Sequence, residues 1–411
     1  MRDLNDKKKR NINIINILFL MSLTFLVKPE IYTIFFIFIS LILVLKNKAV
    51  FFKSTKYINY LFLLFFTGSF FILNNEIQYV KNDIGYLIKA ITCFLIGFIL
   101  GIKISNFTKF LEYIIVLLFI YSLYWIYLVS TNAVNFDNYA EFNMMSFKSV
   151  PYIATLILPL VLLKIDNKYF LDFKILNRYL FFIIILIGIF FSFSRTKIFL
   201  ILLSFFILFF YKKKIKISYI IFFISMILII NLNSPFFENF SPIISKFRNS
   251  FNEILFFNGT DLQEIYLNWR GFESLKAYEQ FQNVGLFKKF FGQSFGATVN
   301  LQNNFSIGNI DYYSELPHIH NGYFQILTKF GIIGIIFVIV FYIKVTFTLN
   351  RKFKTYFNKK DDQILLILKL ILMIYFIFLT LVISGLFNHS ALDHIIIFSG
   401  LINGYLDNKY N

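Results

Sequence analysis

The chain has 411 residues, of which 58% are hydrophobic, 21% aromatic and only 15% charged. Ordinary soluble domains are about 25% charged and about 45–50% apolar, so this composition excludes a soluble globular protein and indicates a membrane protein. The formal charge of +18 would fit nucleic-acid binding only if Lys and Arg formed one patch, and they are instead spread along the chain. Because Cys93 is the one cysteine, a disulfide within the chain and a thiol cluster for a metal are also excluded.

Apolar runs predict an all-α polytopic fold, because a bilayer core of about 30 Å needs roughly 20 apolar residues per helix. We predict about twelve spans, at residues 11–27, 31–45, 57–73, 84–102, 110–130, 150–163, 179–193, 196–211, 217–232, 331–348, 364–383 and 394–406. The first span follows the basic start KKKR without a small-residue cleavage site, so we expect an uncleaved helix.

Lys and Arg predict the orientation, because short segments rich in them stay in the cytoplasm. They concentrate in the connections that share one side, at residues 1–10, 46–56, 103–109, 164–178, 211–216 and 349–362. The short connections of the other side contain only Lys28, Lys81, Lys148, Arg195 and Lys197. Both termini are therefore expected to be cytoplasmic. This sorting pattern accounts for most of the basic excess, so we expect no nucleic-acid partner.

One long connection, residues 233–316, is placed by this orientation on the outer face. Its acidic and basic residues nearly balance, and it contains aromatic residues such as Phe236, Tyr266 and Trp269. Loops of this length are usually functional. Its aromatic residues predict short amphipathic helices that lie on the membrane surface or cap a cavity.

Ionisable residues inside a bilayer usually mark an ion or proton pathway. Lys89, Lys344 and Lys369 lie near the ends of predicted spans, where their long stems can reach the interface. We predict no buried relay of Asp, Glu or Arg, which disfavours an ion-coupled transporter.

The histidines of the chain all fall on or beside the predicted outer face, at His318, His320, His389 and His394. His389 is most simply a solvated loop residue. His318 and His320 differ because they precede a predicted short helix, in which Asn321 is the N-cap and Gly331 ends the helix.

That helix carries a polar stripe of Asn321, Gln325, Thr328 and Lys329, which predicts that it lies at the membrane interface. The two imidazoles would then sit at the level of the lipid headgroups, where a general base could meet a lipid-linked substrate. Zinc binding is the alternative for a histidine pair, but no third ligand has suitable spacing.

Two arginines are candidates for binding phosphate. Arg195, in SFSRTK (192–197), follows a short span, so it either caps a hairpin or lies in a recessed pocket as a guanidinium fork for phosphate. Arg270, in NWRGFESLKAYEQF, occupies the first turn of a predicted helix and by itself would be an ordinary surface residue. The later GQSFG (292–296) is too weak a glycine pattern to predict a phosphate loop.

Together these residues resemble the O-antigen ligase and polymerase superfamily over roughly residues 180–345. The strongest element is His318-x-His320-Asn321, followed in order by Tyr323, Gln325, Leu327, Gly331 and Gly334. This run is similar to the family's histidine motif, and SFSRTK resembles its Ser-Arg turn. Arg270 resembles its loop arginine, although the following glycines are spaced more widely here.

The resemblance implies an integral-membrane glycosyltransferase of the C type, inverting and independent of metal and cofactor. Its donor would be an undecaprenyl-diphosphate-linked glycan and its acceptor a second glycan, handled on the outer face of the bacterial inner membrane. His320, with His318 second, would be the catalytic base, and Arg195 and Arg270 would bind the diphosphate. The implied organisation is 1–178 as N-terminal helices, 179–348 as the ligase/polymerase-like region and 349–411 as C-terminal helices.

Our leading hypothesis is a polymerase of lipid-linked repeat units of O-antigen or another surface polysaccharide. The alternative within the superfamily is a ligase that transfers the glycan to lipid A core or another acceptor. A third hypothesis is a polysaccharide flippase or other transporter, which the long outer loop disfavours. A fourth is a membrane scaffold. A chain-length regulator and a separate flippase are candidate partners of a polymerase.

Overall fold

The computed structural model of the protein describes residues 34–35, 37–39, 42, 48–131, 149–165, 168–192, 194–211, 255–259, 262–306, 312–347, 360–383, 385–387 and 392–410. Most of these residues are helical. The predicted spans 11–27 and 217–232, most of the span 31–45, and His389 lie outside the described residues.

The part of the structure that precedes the long connection is built from helices. These are α1 (Lys48–Thr67), α2 (Ile77–Ile102), α3 (Phe107–Ser130), α4 (Tyr152–Val161), α5 (Ile175–Phe190) and α6 (Arg195–Tyr211). A short hairpin of β1 (Lys164–Ile165) and β2 (Lys168–Tyr169) joins α4 to α5. The boundaries follow local chemistry: Asn106 caps α3 by accepting a hydrogen bond from the Lys109 N–H at 3.0 Å, and Pro151 precedes α4.

The later part mixes short elements with long helices. The short elements are α7 (Leu262–Leu267), α8 (Trp269–Asn283), α9 (Leu286–Phe291), β3 (Val299–Ser306) and β4 (Tyr312–Leu316). The long helices are α10 (Gly322–Phe347), α11 (Lys360–Val382) and α12 (Asp393–Tyr410).

Some of the predicted membrane spans are present as long apolar helices. Among the described residues, four helical stretches are long and apolar enough to cross a membrane: Ile77–Ile102, Phe107–Ser130, Gly322–Phe347 and Ile364–Val382. The apolar helices α4 and α5 are shorter. The protein therefore has the helices of a membrane protein, while the total of twelve spans and the three-part division of the chain stay predictions.

The prediction of an all-α fold was wrong in the long connection. β3 and β4 pair antiparallel, with Val299 opposite Leu316 and Phe305 opposite Tyr313. Val299, Leu301 and Phe305 are buried and pack with Phe272 of α8 in a small core of their own. Val299, Leu301 and Phe305 occupy alternate positions, and alternate residues of a strand face the same side. This spacing fits a half-buried strand rather than an amphipathic helix.

Helices α2 and α12 run parallel and pack closely through glycines. A Cβ at Gly97 would overlap the carbonyl oxygen of Ile397, and a Cβ at Gly404 would overlap that of Phe98. Gly101 and Gly400 complete a small-xxx-small pattern on both helices. Small residues at this spacing let helix backbones approach in a membrane, where packing rather than the hydrophobic effect holds helices together.

Charged residues are buried between the helices, which corrects two expectations. Lys89 on α2 pairs with Asp393 of α12 at 3.2 Å, and Lys369 on α11 donates to the Asn403 side chain at 2.8 Å. Both lysines are buried rather than reaching toward the interface, whereas Lys344 is exposed as expected. Buried carboxylates therefore exist in the helical region, for which the sequence predicted no buried relay of Asp, Glu or Arg.

Several helix ends and the β3–β4 segment meet at one end of the molecule. Gly68, after α1, accepts a hydrogen bond from the Phe295 N–H at 3.1 Å. Asp83, in the second turn of α2, accepts from the Gly296 N–H at 2.7 Å and from Lys329 of α10 at 2.6 Å. The same end contains all the residues that the sequence predicted to be functional, as the next section describes.

Candidate active site

His320 is held by a buried carboxylate from α8. Glu273 Oε2 lies 2.9 Å from Nδ1 of the His320 ring and accepts a hydrogen bond from the His320 backbone N–H at 3.0 Å. Glu273 is buried, while the His320 side chain is 46% exposed. Because a carboxylate only accepts, Nδ1 carries the proton and Nε2 presents its lone pair. His320 is therefore built as a proton acceptor that faces a partly open space.

His318 is held differently, by Gln325 one turn into α10. The Gln325 side-chain NH₂ donates to His318 Nδ1 at 3.2 Å and to the Pro317 carbonyl at 2.9 Å, and its oxygen accepts from the Ile319 N–H at 2.9 Å. Since an amide nitrogen only donates, Nδ1 of His318 is the accepting nitrogen and Nε2 carries the proton. The ring also packs edge-on against Tyr86. Nε2 of His318 is itself buried, which distinguishes His318 from the partly exposed His320.

Asp83 ties this histidine segment to the helices beneath it. Its carboxylate lies 2.6 Å from the Lys329 ammonium and 3.9 Å from His318 Nδ1. Asp83 and Lys329 are both fully buried. A buried ion pair is costly unless its remaining polar atoms are satisfied, and the Gly296 N–H supplies one such hydrogen bond.

The predicted helix after the histidines is confirmed, but its polar face was assigned to the wrong environment. Asn321 Oδ1 accepts from the Tyr323 N–H at 3.1 Å, as an N-cap does, and the backbone breaks at Gly331 with φ of 65°. The polar stripe does not face the membrane interface: Gln325 and Lys329 are buried and bind His318 and Asp83. The helical pattern of the sequence could not show that the polar stripe is buried, because its partners His318 and Asp83 lie outside α10.

The GQSFG stretch has a structural role at the break in α10. The Gln293 N–H donates to the Thr328 carbonyl and the Ser294 N–H to the Lys329 carbonyl, each at 2.8 Å. These carbonyls lie just before the break, where the usual helical partners are lost. Gly292, with φ of 80°, and Gly331 approach so closely that a Cβ on either would overlap the other segment's backbone. Gly292 and Gly331 are therefore needed for the close approach of the two segments.

Arg195, within SFSRTK, is the first residue of α6. The next basic residue, Lys197, is buried, donates to the Ser149 hydroxyl and lies 5.1 Å from the centre of the Tyr152 ring. No acidic residue occupies this first turn. Cations at a helix N-terminus are disfavoured by the helix dipole, whereas an anion there is stabilised by the dipole and by the open N–H groups. The local charge therefore suits an anionic ligand.

Arg270 connects this turn to the histidine segment. It lies on α8, one turn before Glu273, and acts electrostatically on the Tyr152 hydroxyl. The same hydroxyl hydrogen-bonds the side chains of Ser194 and Thr196, which flank Arg195. Tyr152 thus lies between the two arginine-bearing segments.

The four residues predicted from sequence therefore lie in one region of the structure. His320 binds Glu273, Glu273 shares α8 with Arg270, and Arg270 acts electrostatically on the Tyr152 hydroxyl, which hydrogen-bonds the residues on either side of Arg195. His318 lies two residues from His320. The structure brings the imidazoles and the guanidinium-bearing segments to one end of the helices. Their catalytic and diphosphate-binding roles stay proposals.

Sequence reasoning missed the residues that hold this site, chiefly Glu273, Asp83 and Tyr152. One signal was present: Glu273 follows Arg270 by three residues, so both lie on one face of the same helix. Asp83 was overlooked because it precedes the predicted span beginning at residue 84. Within the described parts of the chain, no group of three His, Cys, Asp or Glu side chains could hold a metal ion.

Comparison with known proteins gives a regional match. Residues 180–339 match the family model described as O-antigen ligase. This region is an O-antigen ligase domain. The match confirms, for this region, the resemblance to the O-antigen ligase and polymerase superfamily stated above. No curated protein and no solved structure matches the chain.

The matched region contains the residues of the site and some of their supports. It begins within α5 and ends within α10, so it includes Arg195, Arg270, Glu273, His318 and His320. Asp83, Tyr86 and Tyr152 lie before it, which means that the O-antigen ligase domain is completed by helices from the N-terminal part of the chain.

Proposed function

We propose that the protein is a membrane glycosyltransferase that polymerises undecaprenyl-diphosphate-linked oligosaccharide repeats on the outer face of the bacterial inner membrane. The O-antigen ligase domain supports the reaction class. The observation that carries the proposal is the pairing of His320 with buried Glu273, on the same helix as Arg270. This arrangement lets one helix, α8, hold the proton acceptor through Glu273 and carry Arg270, the proposed phosphate-binding cation.

In the proposed reaction His320 is the general base. A hydroxyl of the acceptor glycan gives its proton to Nε2 while its oxygen forms the new bond to the anomeric carbon of the donor. The bond from that carbon to the diphosphate oxygen breaks, and undecaprenyl diphosphate leaves with the electron pair. Glu273 stabilises the imidazolium that forms, and displacement in one step inverts the anomeric centre. General base catalysis of this kind contributes about 10²–10⁴-fold.

Arg195 and Arg270 are proposed to stabilise the departing diphosphate. Negative charge grows on the diphosphate as the bond breaks, and fixed cations placed there lower the barrier. The N-terminus of α6 adds oriented N–H groups to the same end. Because a diphosphate is already a good leaving group, the mechanism needs no acid to protonate it, and it assigns no step to a metal or cofactor.

His318 is the second candidate for the base, and its contacts argue for a supporting role. Its Nδ1 accepts from Gln325, so its proton is on Nε2, the opposite arrangement to that of a ready base. Nε2 of His318 is also buried, so we propose that His318 orients the loop, with His320 as the base.

A ligase is the second candidate function, favoured by the description of the matching family as O-antigen ligase. The two functions predict different products in a deletion strain. Loss of a polymerase leaves single repeats on the lipid A core, whereas loss of a ligase leaves bare core and polymer retained on undecaprenol. A chain-length regulator and a flippase would be partners of the polymerase.

The direct test uses purified protein in nanodiscs with a synthetic undecaprenyl-diphosphate-linked repeat and no energy source. Wild-type protein should produce longer glycans, and His320→Ala should lower the rate by about 10²–10⁴-fold while the melting temperature is retained. Rates equal to wild type in the His320 variant would refute the base assignment. A wild-type protein that moves the lipid across vesicles without making a glycosidic bond would support a flippase.

A further inference from the structure

A polar cavity of about 470 Å³ lies beside α8 and the β3–β4 pair. Its volume falls in the range of about 300–1,000 Å³ that small-molecule sites occupy. Six of its lining side chains are amides: Asn75, Gln280, Asn283, Gln293, Asn300 and Gln302. The sequence predicted no functional role for any of these amides, although Gln280 and Gln293 lie in the NWRGFESLKAYEQF and GQSFG segments.

The charge of the cavity suits a neutral ligand. Lys276 is its cation, and it is neutralised by Glu279 at 2.9 Å and also donates to the Gln302 amide oxygen at 2.9 Å. Glu315 adds a second carboxylate. A phosphate or diphosphate would meet these carboxylates without an uncompensated cation, so this cavity is not a second anion site.

Amide side chains match the chemistry of sugars. Each amide offers two N–H donors and a carbonyl acceptor, and a hydroxyl group both donates and accepts. Neutral polyhydroxyl ligands are therefore bound by clusters of such groups without a net charge. In this cavity the N–H donors of Asn75 and Gln280 are already bound within the protein, so the proposed sugar contacts come from Asn283, Asn300 and Gln302.

The cavity is also shaped by unusual backbone. Gln302 has φ of 68° and Ser294, next to the lining residue Gln293, has φ of 82°. Residues other than glycine rarely adopt this conformation, and they persist in it where surrounding contacts hold them. Here Asn300 Oδ1 accepts from the Gln302 N–H at 2.7 Å, and the Ser294 hydroxyl donates to the Gly68 carbonyl.

The position of the cavity relates it to His320. Lys276, Gln280 and Asn283 follow Glu273 at helical spacing on α8, so the cavity continues along the helix face that begins at the His320 contact. At about 1.5 Å per residue, it extends roughly 5 to 15 Å along the helix axis from Glu273. Strand β4, which contains Glu315, leads directly into the histidine segment.

We propose that this cavity binds the sugars of the acceptor glycan that adjoin the reacting hydroxyl. The inference rests on the proposed function, since His320 defines where the acceptor hydroxyl lies. The acceptor chain extends from His320 along α8, and the amides bind its hydroxyl groups. The donor diphosphate lies at the other end, by Arg195 and Arg270.

Binding is tested first, with an inactive site. The probe is the oligosaccharide repeat of the host polysaccharide, released without lipid or phosphate, and it is titrated into detergent-solubilised His320→Ala protein. Asn283→Leu and Asn300→Leu should each weaken binding by about two- to tenfold, the effect of losing a hydrogen bond. Gln282→Leu is the matched control, because Gln282 is exposed on the same turn and does not line the cavity. It should bind as the parent does. No binding to the parent, or equal binding to both cavity variants, would overturn the proposal.

Kinetics then separate the acceptor from the donor. With His320 intact, Asn283→Leu should raise the KM for the lipid-linked acceptor repeat and leave the KM for the donor unchanged. A raised KM for the donor alone would refute the acceptor assignment. If oligosaccharide binding depends on Asn283 but no transfer occurs with wild-type protein, the proposed function fails while the cavity remains a glycan site. If transfer occurs and the cavity variants match wild type, this inference alone fails.

Discussion

Replacing Glu273 by Gln tests the proposed base most sharply. The change keeps the size of the side chain and one oxygen to accept from the His320 backbone N–H, but it removes the negative charge beside the imidazole. Because Glu273 is only 2% exposed, water cannot substitute for that charge. The substitution therefore removes one electrostatic interaction and leaves the packing of α8 in place.

The expected fall in kcat follows from the weakened hydrogen bond between residue 273 and His320. A hydrogen bond to a charged group contributes about 1.5–3 kcal/mol, and one between neutral groups about 0.5–1.5 kcal/mol. The difference of about 1–2 kcal/mol acts when the imidazolium forms, so kcat should fall roughly 5- to 30-fold. The KM for either substrate should change little, because Glu273 contacts His320 rather than the glycan in this mechanism.

The assay is initial-rate transfer in nanodiscs, combined with NMR of isotope-labelled histidine ring nitrogens. The chain has four histidines, so the His320 signals can be assigned by comparison with His320→Ala. In Glu273→Gln the preference for a proton on Nδ1 should weaken. Glu264→Gln, an exposed change in α7, is the control and should leave both rate and tautomer unchanged. A Glu273→Gln enzyme with wild-type kcat and an altered tautomer would refute our reasoning, as would a fall in melting temperature large enough to explain the lost rate.

Two further predictions address the diphosphate site and the helix core. Arg195→Lys keeps the charge but loses the fork that binds two oxygens, so transfer should slow by about tenfold at saturating acceptor, and unchanged kinetics would remove Arg195 from the diphosphate site. Gly97→Val should prevent accumulation of folded protein, because the new side chain would overlap the Ile397 backbone, whereas Gly85→Ala meets no atom within 4 Å and should accumulate normally in membranes. Equal yields of the two glycine variants, measured by fluorescence-detected size exclusion, would contradict the close packing of α2 and α12.

The sequence predicted the features that depend on neighbouring residues. The apolar runs predicted helices at positions where α2, α3, α10 and α11 are found, and the residues around His318 and His320 predicted both an N-cap at Asn321 and a break at Gly331. These features depend on residues within one or two turns of each other. Hydropathy, capping and a glycine at positive φ therefore predict them without knowledge of the fold.

The environment of each polar residue was decided by the tertiary structure. Glu273 meets His320 from 47 residues away, and Asp83 meets Lys329 from 246 residues away. A helical stripe shows which residues share a face, but not whether that face meets water, lipid headgroups or a buried carboxylate. For this reason the stripe on α10 was assigned to the interface, although it faces the interior and holds His318 in place. The direction of a polar side chain follows its lowest-energy partner, and here that partner lies on a distant segment of the chain.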